Sequence, residues 1–299
     1  MVELPTPHLE KLKAAIRNDK CSPDDVKLME EAKDHYQHWI ERMGKLTSRG
    51  RTRIDEMVDL LNEYKNTLEV DLVAKRGSAF LKRQKGQLKL DNSVLEEFLP
   101  HMLRNEIIEK LDHDNFLTGP QKAFMSLSFM PRGFGDLGRR PEVMVKVKDQ
   151  DFTIATPIHY RFSASEEFSA DVTATGTFAL AVLATEIKLN LDKTMFQEAA
   201  GTAQRLKQGC PVAKYFLLVE YLDMVPEDTR LTEIDNVYLL RKVKRLPAPL
   251  RANIDRLETQ HLDHPILSEV MWAYVQQIQS FIDAAWFDPD EALMRGAFI

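Results

Sequence analysis

Glu186-Ile187-Lys188 closes an apolar run that begins at Phe178, and Asp171 stands fifteen positions before Glu186. On a strand, residues two apart share a face, so Glu186 and Lys188 would project together. Two carboxylates can hold a hard divalent cation such as Mg²⁺, and a neighbouring lysine can orient or deprotonate a water. That set is what hydrolysis of a phosphodiester requires.

The acid-x-Lys triplet by itself says little, since about two arise by chance at ordinary residue usage in a chain this long. The sequence holds four: Asp25-Val-Lys27, Glu31-Ala-Lys33, Glu63-Tyr-Lys65 and Glu186-Ile-Lys188. The first three lie in polar segments with helical patterning, where positions i and i+2 diverge. Only the fourth sits in apolar sequence, where burying a carboxylate and an ammonium is costly unless they serve a purpose. The bland alternative is a Glu–Lys ion pair at the solvent end of a strand.

The elements that would position these groups follow from periodicity. Residues 8–75 read as helical, with Val26, Met29, Ala32, Tyr36, Ile40 and Met43 at helical spacing, Ser22-Pro23 as a start, and a break at the Arg-rich run from 48. Residues 76–92 read as irregular. Ser93-Val-Leu-Glu96 predicts a capping box opening a helix that ends before Pro100. A short helix is expected over 101–111, and a loop at Gly119-Pro120. Strand alternation begins at Val143, Val145 and Val147 and recurs at 152–156 and 158–162. The run 178–189 suits a strand covered on both faces. Thr194-Met-Phe-Gln197 predicts a second capping box, with Gly209 just past the helix end. Tyr215–Leu222 is a further buried strand, so strand, helix and strand form a βαβ unit with parallel strands. Helix returns over 263–286.

The chain has 299 residues, 44% hydrophobic and 29% charged, which is ordinary for a globular protein with a sizeable core. No apolar stretch is long enough to span a bilayer, no leader segment is evident, and Cys21 and Cys210 lack metal-ligand spacing, so a reduced cytoplasmic setting is expected. A net charge of −6 disfavours an indiscriminate nucleic-acid coat protein. Basic residues nevertheless cluster: Arg49, Arg51 and Arg53; Arg76 with Arg83; Arg132, Arg139 and Arg140; and Arg241 to Arg245. The first three clusters are candidate DNA contacts, although each arginine alone could be a surface charge. His159 is expected to be structural, and Asp136, between glycines, to serve a turn. The glycine-rich nucleotide-binding, phosphate-loop and nucleophile-elbow motifs of metabolic enzymes are missing.

The order of Asp171, Glu186-x-Lys188, capped helix and second apolar strand resembles the PD-(D/E)XK nuclease superfamily, and within it the type II restriction endonucleases, over roughly residues 140–225. Position 170 departs from the pattern, with Ala where the family has Pro. Segments 82–100 and 185–198 resemble restriction enzymes of the BbvCI kind, which cut asymmetric CCTNAGC-type sites with two different subunits. The resemblance implies an α/β (α+β) fold. Its central mixed sheet would be flanked by helices, with a helical region at 1–110 for DNA binding or dimerisation and a nuclease core with C-terminal helices at 111–299. It implies Mg²⁺ held by Asp171, Glu186 and the carbonyl of Ile187, with Lys188 catalytic and Glu198 or Gln197 accessory. It implies sequence-specific cleavage of double-stranded DNA by a homodimer or a heterodimer with a related subunit. The alternatives are another nuclease of the superfamily, acting in repair or recombination, and a non-catalytic helical binding module.

Overall fold

The computed structural model of the protein describes residues 4–84, 86, 88–108, 111, 116–136, 139, 141–284 and 286–297. Helices α1 (Pro7–Ile16), α2 (Pro23–Lys45) and α3 (Gly50–Asn66) open the chain, and a π-helical stretch, Thr67–Arg76, continues α3. Ser22 caps α2 by accepting from the Asp25 N–H at 3.1 Å, with Pro23 in the first turn. Helices α4 (Ala79–Gln84) and α5 (Asn92–Met102) follow. The cap of α5 is Asp91, and Pro100 lies inside the helix. Ser93 and Glu96 therefore form no capping box. The Ser93 hydroxyl donates to the Lys89 carbonyl at 2.6 Å, which leaves Glu96 free to point elsewhere.

Five strands form one mixed sheet in the order β1 (Leu117–Phe129), β2 (Val143–Ser163), β3 (Thr173–Leu191), β4 (Lys214–Leu222) and β5 (Asn236–Leu239). Strand β2 pairs antiparallel with both β1 and β3, β1 touches β3 in parallel at Ala123↔Ala179, and β3, β4 and β5 run parallel. Helix α6 (Lys193–Gly209) makes the expected crossover from β3 to β4; its cap is Asp192, which accepts from Met195 N–H, and not Thr194. After β5 come α7 (Ala248–Arg251), α8 (Ile254–Asp263), α9 (Ser268–Asp283) and α10 (Pro289–Arg295).

Two expectations fail at β1. Residues 103–108 turn without forming a helix, and Gly119-Pro120 lies within the strand. The ladder shifts register between Gly119 and Gln121, a bulge that accommodates the missing proline N–H. Gly119 has φ +108°, and a Cβ there would meet the Pro5 ring at 2.5 Å, so only glycine fits. The 21-residue β2 is one bent strand, not three. Its residues 143–155 pair with β1 and 152–163 with β3. Across the three long strands Phe124 stacks on Phe178 at 4.4 Å and Phe129 meets Phe162 edge-on.

One face of the sheet (Leu183, Ile187, Phe216, Leu218) joins helices α1–α5 and α9 in a single core that draws on both sides of residue 110. The opposite face packs on Phe196, Ala199, Ala203 and Leu206 of α6. Within the first core lies a closed ionic cluster. Lys65 meets Glu69 at 2.5 Å and Glu220 at 2.8 Å, and Arg241 meets Glu220 at 2.9 Å, all of them buried. Lys65 belongs to one of the triplets whose context read as polar; its helix turns it inward. A second network anchors α1, whose His8 and Leu9 N–H groups donate to Glu97 of α5 at 2.8 and 3.2 Å. Among the described residues, no helix is long and apolar enough to cross a membrane.

Removing one member of a buried ionic cluster strands the others, so Glu220→Ala is expected to lose about 3–5 kcal/mol in urea denaturation. Burial pushes the imidazoles of His8 and His261 down to about 3 and about 4. Both are neutral in the fold, while the unfolded chain takes up their protons below about 6.5. Stability is therefore fully present above that pH and is lost as pH falls toward these values, by at most ~1.4 kcal/mol per pH unit per histidine. His261→Gln should flatten the fall in urea midpoint between pH 7 and 5; an unchanged slope would exclude this histidine as a source.

Candidate active site

Strand alternation divides β3 between the two faces. Leu183, Thr185 and Ile187 face the helical core, where Thr185 hydrogen-bonds Tyr274 at 2.8 Å. Glu186 and Lys188 project to the other side, and Lys188 Nζ lies 2.6 Å from Glu186 Oε1. Tyr215 at the start of β4 donates its hydroxyl to the second oxygen, Oε2, at 2.5 Å. The pair therefore exists as expected, with both oxygens of Glu186 held.

The second carboxylate is Asp151. The β2–β3 ladder ends at Phe152↔Thr185, and the next residue of β2 reaches across with its side chain. Asp151 Oδ2 accepts the Ile187 N–H at 2.8 Å, taking the place of a strand carbonyl. Lys89, in a left-handed backbone conformation at φ 53°, lies 3.9 Å from Asp151 Oδ1 and 3.5 Å from Glu96 Oε1. Glu96 Oε1 is buried and accepts no hydrogen bond among the described residues. These groups border a cleft of about 460 Å³ that also takes in Lys11, Lys122 and Asp149.

The electrostatics of the carboxylates differ. Burial raises Asp151 above the usual range, and the Glu186 charge adds to this against the Ile187 N–H and Lys89. Burial likewise raises Glu96, helped by the charge of Asp151. Burial also works against ionised Glu186, but the Lys188 ion pair and the Tyr215 hydroxyl outweigh it and hold its pKa low. Desolvation works to lower Lys188, yet Glu186 keeps it charged and raises it. Two under-neutralised carboxylates, buried Glu96 and half-buried Asp151, beside an ion pair form a site that added positive charge would relax.

Asp171 is not part of this constellation. It sits exposed in a 3₁₀ turn, Ala170–Val172, before β3 begins, so the fifteen positions to Glu186 are almost all one extended strand, roughly 50 Å measured along the chain. Glu198 and Gln197 are exposed on the first turns of α6, where the charge of Glu198 acts on Lys188. Thr202, one helical turn on, receives the Lys148 ammonium. Of the basic candidates, Arg49 and Arg83 are exposed. Arg51 pairs with Asp55 at 2.9 Å, Arg76 grips Glu31 with two bonds of 2.8 and 2.7 Å, and Arg132 and Arg139 face Glu142 and Asp136. Arg53 is buried and serves the Leu46 and Ser48 carbonyls, closing the turn between α2 and α3 rather than facing solvent. Arg140 lies outside the described residues. His159 bonds Thr177 at 2.9 Å, and Asp136 closes its 3₁₀ turn, as expected.

Sequence reasoning missed Asp151, Glu96, Lys89 and Tyr215. The signal for Asp151 was its place directly before Phe152-Thr-Ile, the start of a strand segment. Among the described residues, no group of three or more His, Cys, Asp or Glu is close enough to count as a ready metal cage. The donors present are all oxygens, which suits a hard divalent cation completed by water and phosphate rather than by protein alone.

No curated protein sequence matches the chain. The fold is similar to that in the solved structure described as the native BbvCI A2B2 tetramer at low resolution, with a TM-score of 0.61 and 18% identity over 94% of this chain and 98% of that one. The Bpu10I restriction endonuclease family matches residues 87–298, a span that takes in Glu96, Asp151, Glu186, Lys188 and Tyr215, and the chain belongs to that family.

Proposed function

We propose that this chain is a Mg²⁺-dependent type II restriction endonuclease, or one subunit of such an enzyme, cutting double-stranded DNA at a specific sequence in the cytoplasm. The observation that carries the reading is Asp151 bound to the Ile187 N–H, beside the Glu186–Lys188 pair. Asp151 and Glu186 flank Ile187 and, with its carbonyl, would hold the cation. The proposal thus keeps the PD-(D/E)XK chemistry but gives the place of its first acid to Asp151. Glu96, with an oxygen that accepts no hydrogen bond, is the third candidate ligand. Mg²⁺, when bound, would neutralise the scissile phosphate and acidify a water.

The protein's own groups then have distinct tasks. Lys188, held charged by Glu186, positions the attacking water. Tyr215 restrains Glu186 to a single orientation, and Glu198 tunes the Lys188 charge from α6. Exposed Arg49 and Arg83 are available for phosphates or base edges; Arg51, Arg76, Arg132 and Arg139 would first have to exchange a carboxylate for DNA. One such site per chain cuts one strand, so a duplex cutter needs a second chain. The similar BbvCI structure is described as an A2B2 tetramer, which supports either a second copy or a related subunit here.

Incubation of the protein with a sequenced plasmid and Mg²⁺ should yield discrete fragments, and EDTA should abolish them; a smear or digestion from ends would favour a non-specific nuclease. Asp151→Asn and Lys188→Ala should cut slower by a factor on the order of 10²–10⁴ while retaining DNA binding. Asp171→Asn should cut at the wild-type rate, and its inactivity would return that residue to the site. Because the Asp151 pKa is raised, protons compete for the ligand as pH falls. The Mg²⁺ concentration for half-maximal rate should therefore rise as pH is lowered; a constant requirement would count against Asp151 as a ligand.

A further inference from the structure

A second cavity, separate from the cleft at Asp151, lies between the π-helical stretch, α4 and the α7–α8 segment. It has a volume of about 350 Å³, and its wall combines apolar Val73, Ala74, Ile254 and Leu257 with cationic Lys82, Arg245 and Arg251. Glu69 reaches the same wall, but its carboxylate is engaged by Lys65 at 2.5 Å. The charges of Asp91 and Asp223 act on Arg245 as well. Arg251 donates to the Leu246 carbonyl, and the Arg245 guanidinium is partly buried. Burial, and then the charge of Arg251, push the Arg245 pKa down against the charges of Asp91 and Asp223, so the two guanidiniums repel each other where solvent is limited.

Cations drawn together at a partly desolvated wall repel one another, and an anion entering between them relieves that repulsion through charge-assisted hydrogen bonds. Two guanidinium forks and an ammonium match a tetrahedral oxyanion with several acceptor oxygens. The cavity is larger than one phosphate needs, and its apolar wall can take the organic part of an ester. In sequence, Lys82 stands shortly before Lys89, which lines the cleft at Asp151.

We propose that the cavity of Lys82, Arg245 and Arg251 is a phosphate-ester site, occupied by a backbone phosphate of DNA away from the scissile bond. In naming DNA as the source, the proposal rests on the nuclease reading; the phosphate chemistry does not.

The test uses the full chain with Lys82→Gln and Arg245→Gln, each checked for an unchanged melting temperature without ligand. Lys82 lies on the exposed face of α4, so its variant keeps the test alive if Arg245→Gln does not fold. In the first arm, binding of a linear duplex is measured in EDTA over a range of KCl. Each variant should bind about tenfold more weakly, and its plot of log affinity against log salt should be shallower by about 0.9, the loss of one phosphate contact. In the second arm, millimolar inorganic phosphate should raise the melting temperature of the wild type and not that of the variants. A response in the DNA arm supports a backbone phosphate. A response to phosphate alone supports the phosphate site and overturns DNA as its source. Folded variants that match the wild type in both arms overturn the proposal. If the wild type binds no DNA, the nuclease reading fails, and the phosphate arm alone decides the cavity.

Discussion

The architecture turns on a hydrogen bond in which a side chain replaces a strand. At Phe152↔Thr185 the antiparallel ladder between β2 and β3 ends, and Asp151 accepts the next available N–H, that of Ile187. On one side of this joint β2 turns to pair with β1. On the other, β3 continues as the parallel neighbour of β4 with an unpaired edge. An unpaired buried N–H would cost free energy comparable to a lost hydrogen bond, so the carboxylate both closes the ladder and is held in place by it. Its position relative to Glu186 is fixed by strand register and not by a flexible loop, which is the precision a catalytic constellation needs.

Helix α5 occupies the space that the diverging strands open, and two consecutive glutamates give it two roles. Glu97 is committed to structure: it caps the start of α1 through the His8 and Leu9 N–H groups and accepts from the Tyr36 hydroxyl. Glu96 faces the cleft with an oxygen that accepts no hydrogen bond. The protein treats its two charged interiors in the same contrasting way. Around Lys65, Glu69, Glu220 and Arg241 opposite charges meet within 3 Å. Around Asp151 and Glu96 the compensation is left short, with Lys89 at 3.5 and 3.9 Å. The first arrangement spends favourable pairing on holding the core, and the second keeps it in reserve for something that arrives.

The sequence made Glu186 and Lys188 legible because period-two alternation within an apolar run fixes both burial and face. The β3–α6–β4 unit was legible for the same reason, together with the polar helix between its strands. The separation of Asp171 from Glu186 was not legible, because fifteen positions suit a hairpin and a long strand equally, and sequence spacing carries no information on where a strand pairs. The bent β2 looked like three strands because its exposed and buried faces exchange along its length, which hid Asp151 at a junction. Gly119-Pro120 reads as a loop in any local analysis; the close approach of Pro5 that demands the glycine is a tertiary fact. Ser93 and Glu96 have capping-box spacing, yet Asp91 takes the cap and His8 claims Ser93.

The ionic cluster bears on how the chain can be divided. Its charges come from α3 and the π-helical stretch, from β4, and from the segment after β5, which are widely separated in sequence. A partly assembled intermediate that buried Lys65 without Glu220, or Glu220 without Arg241, would carry an uncompensated charge into a desolvated interior. Such intermediates are penalised, so these segments must consolidate together and late, through contacts of long sequence separation. The helical N-terminal third and the sheet thus share one buried charge cluster. A fragment cut between them would begin life with half of a buried salt cluster exposed, and an evolving or engineered enzyme cannot exchange either half without bringing matching charges along.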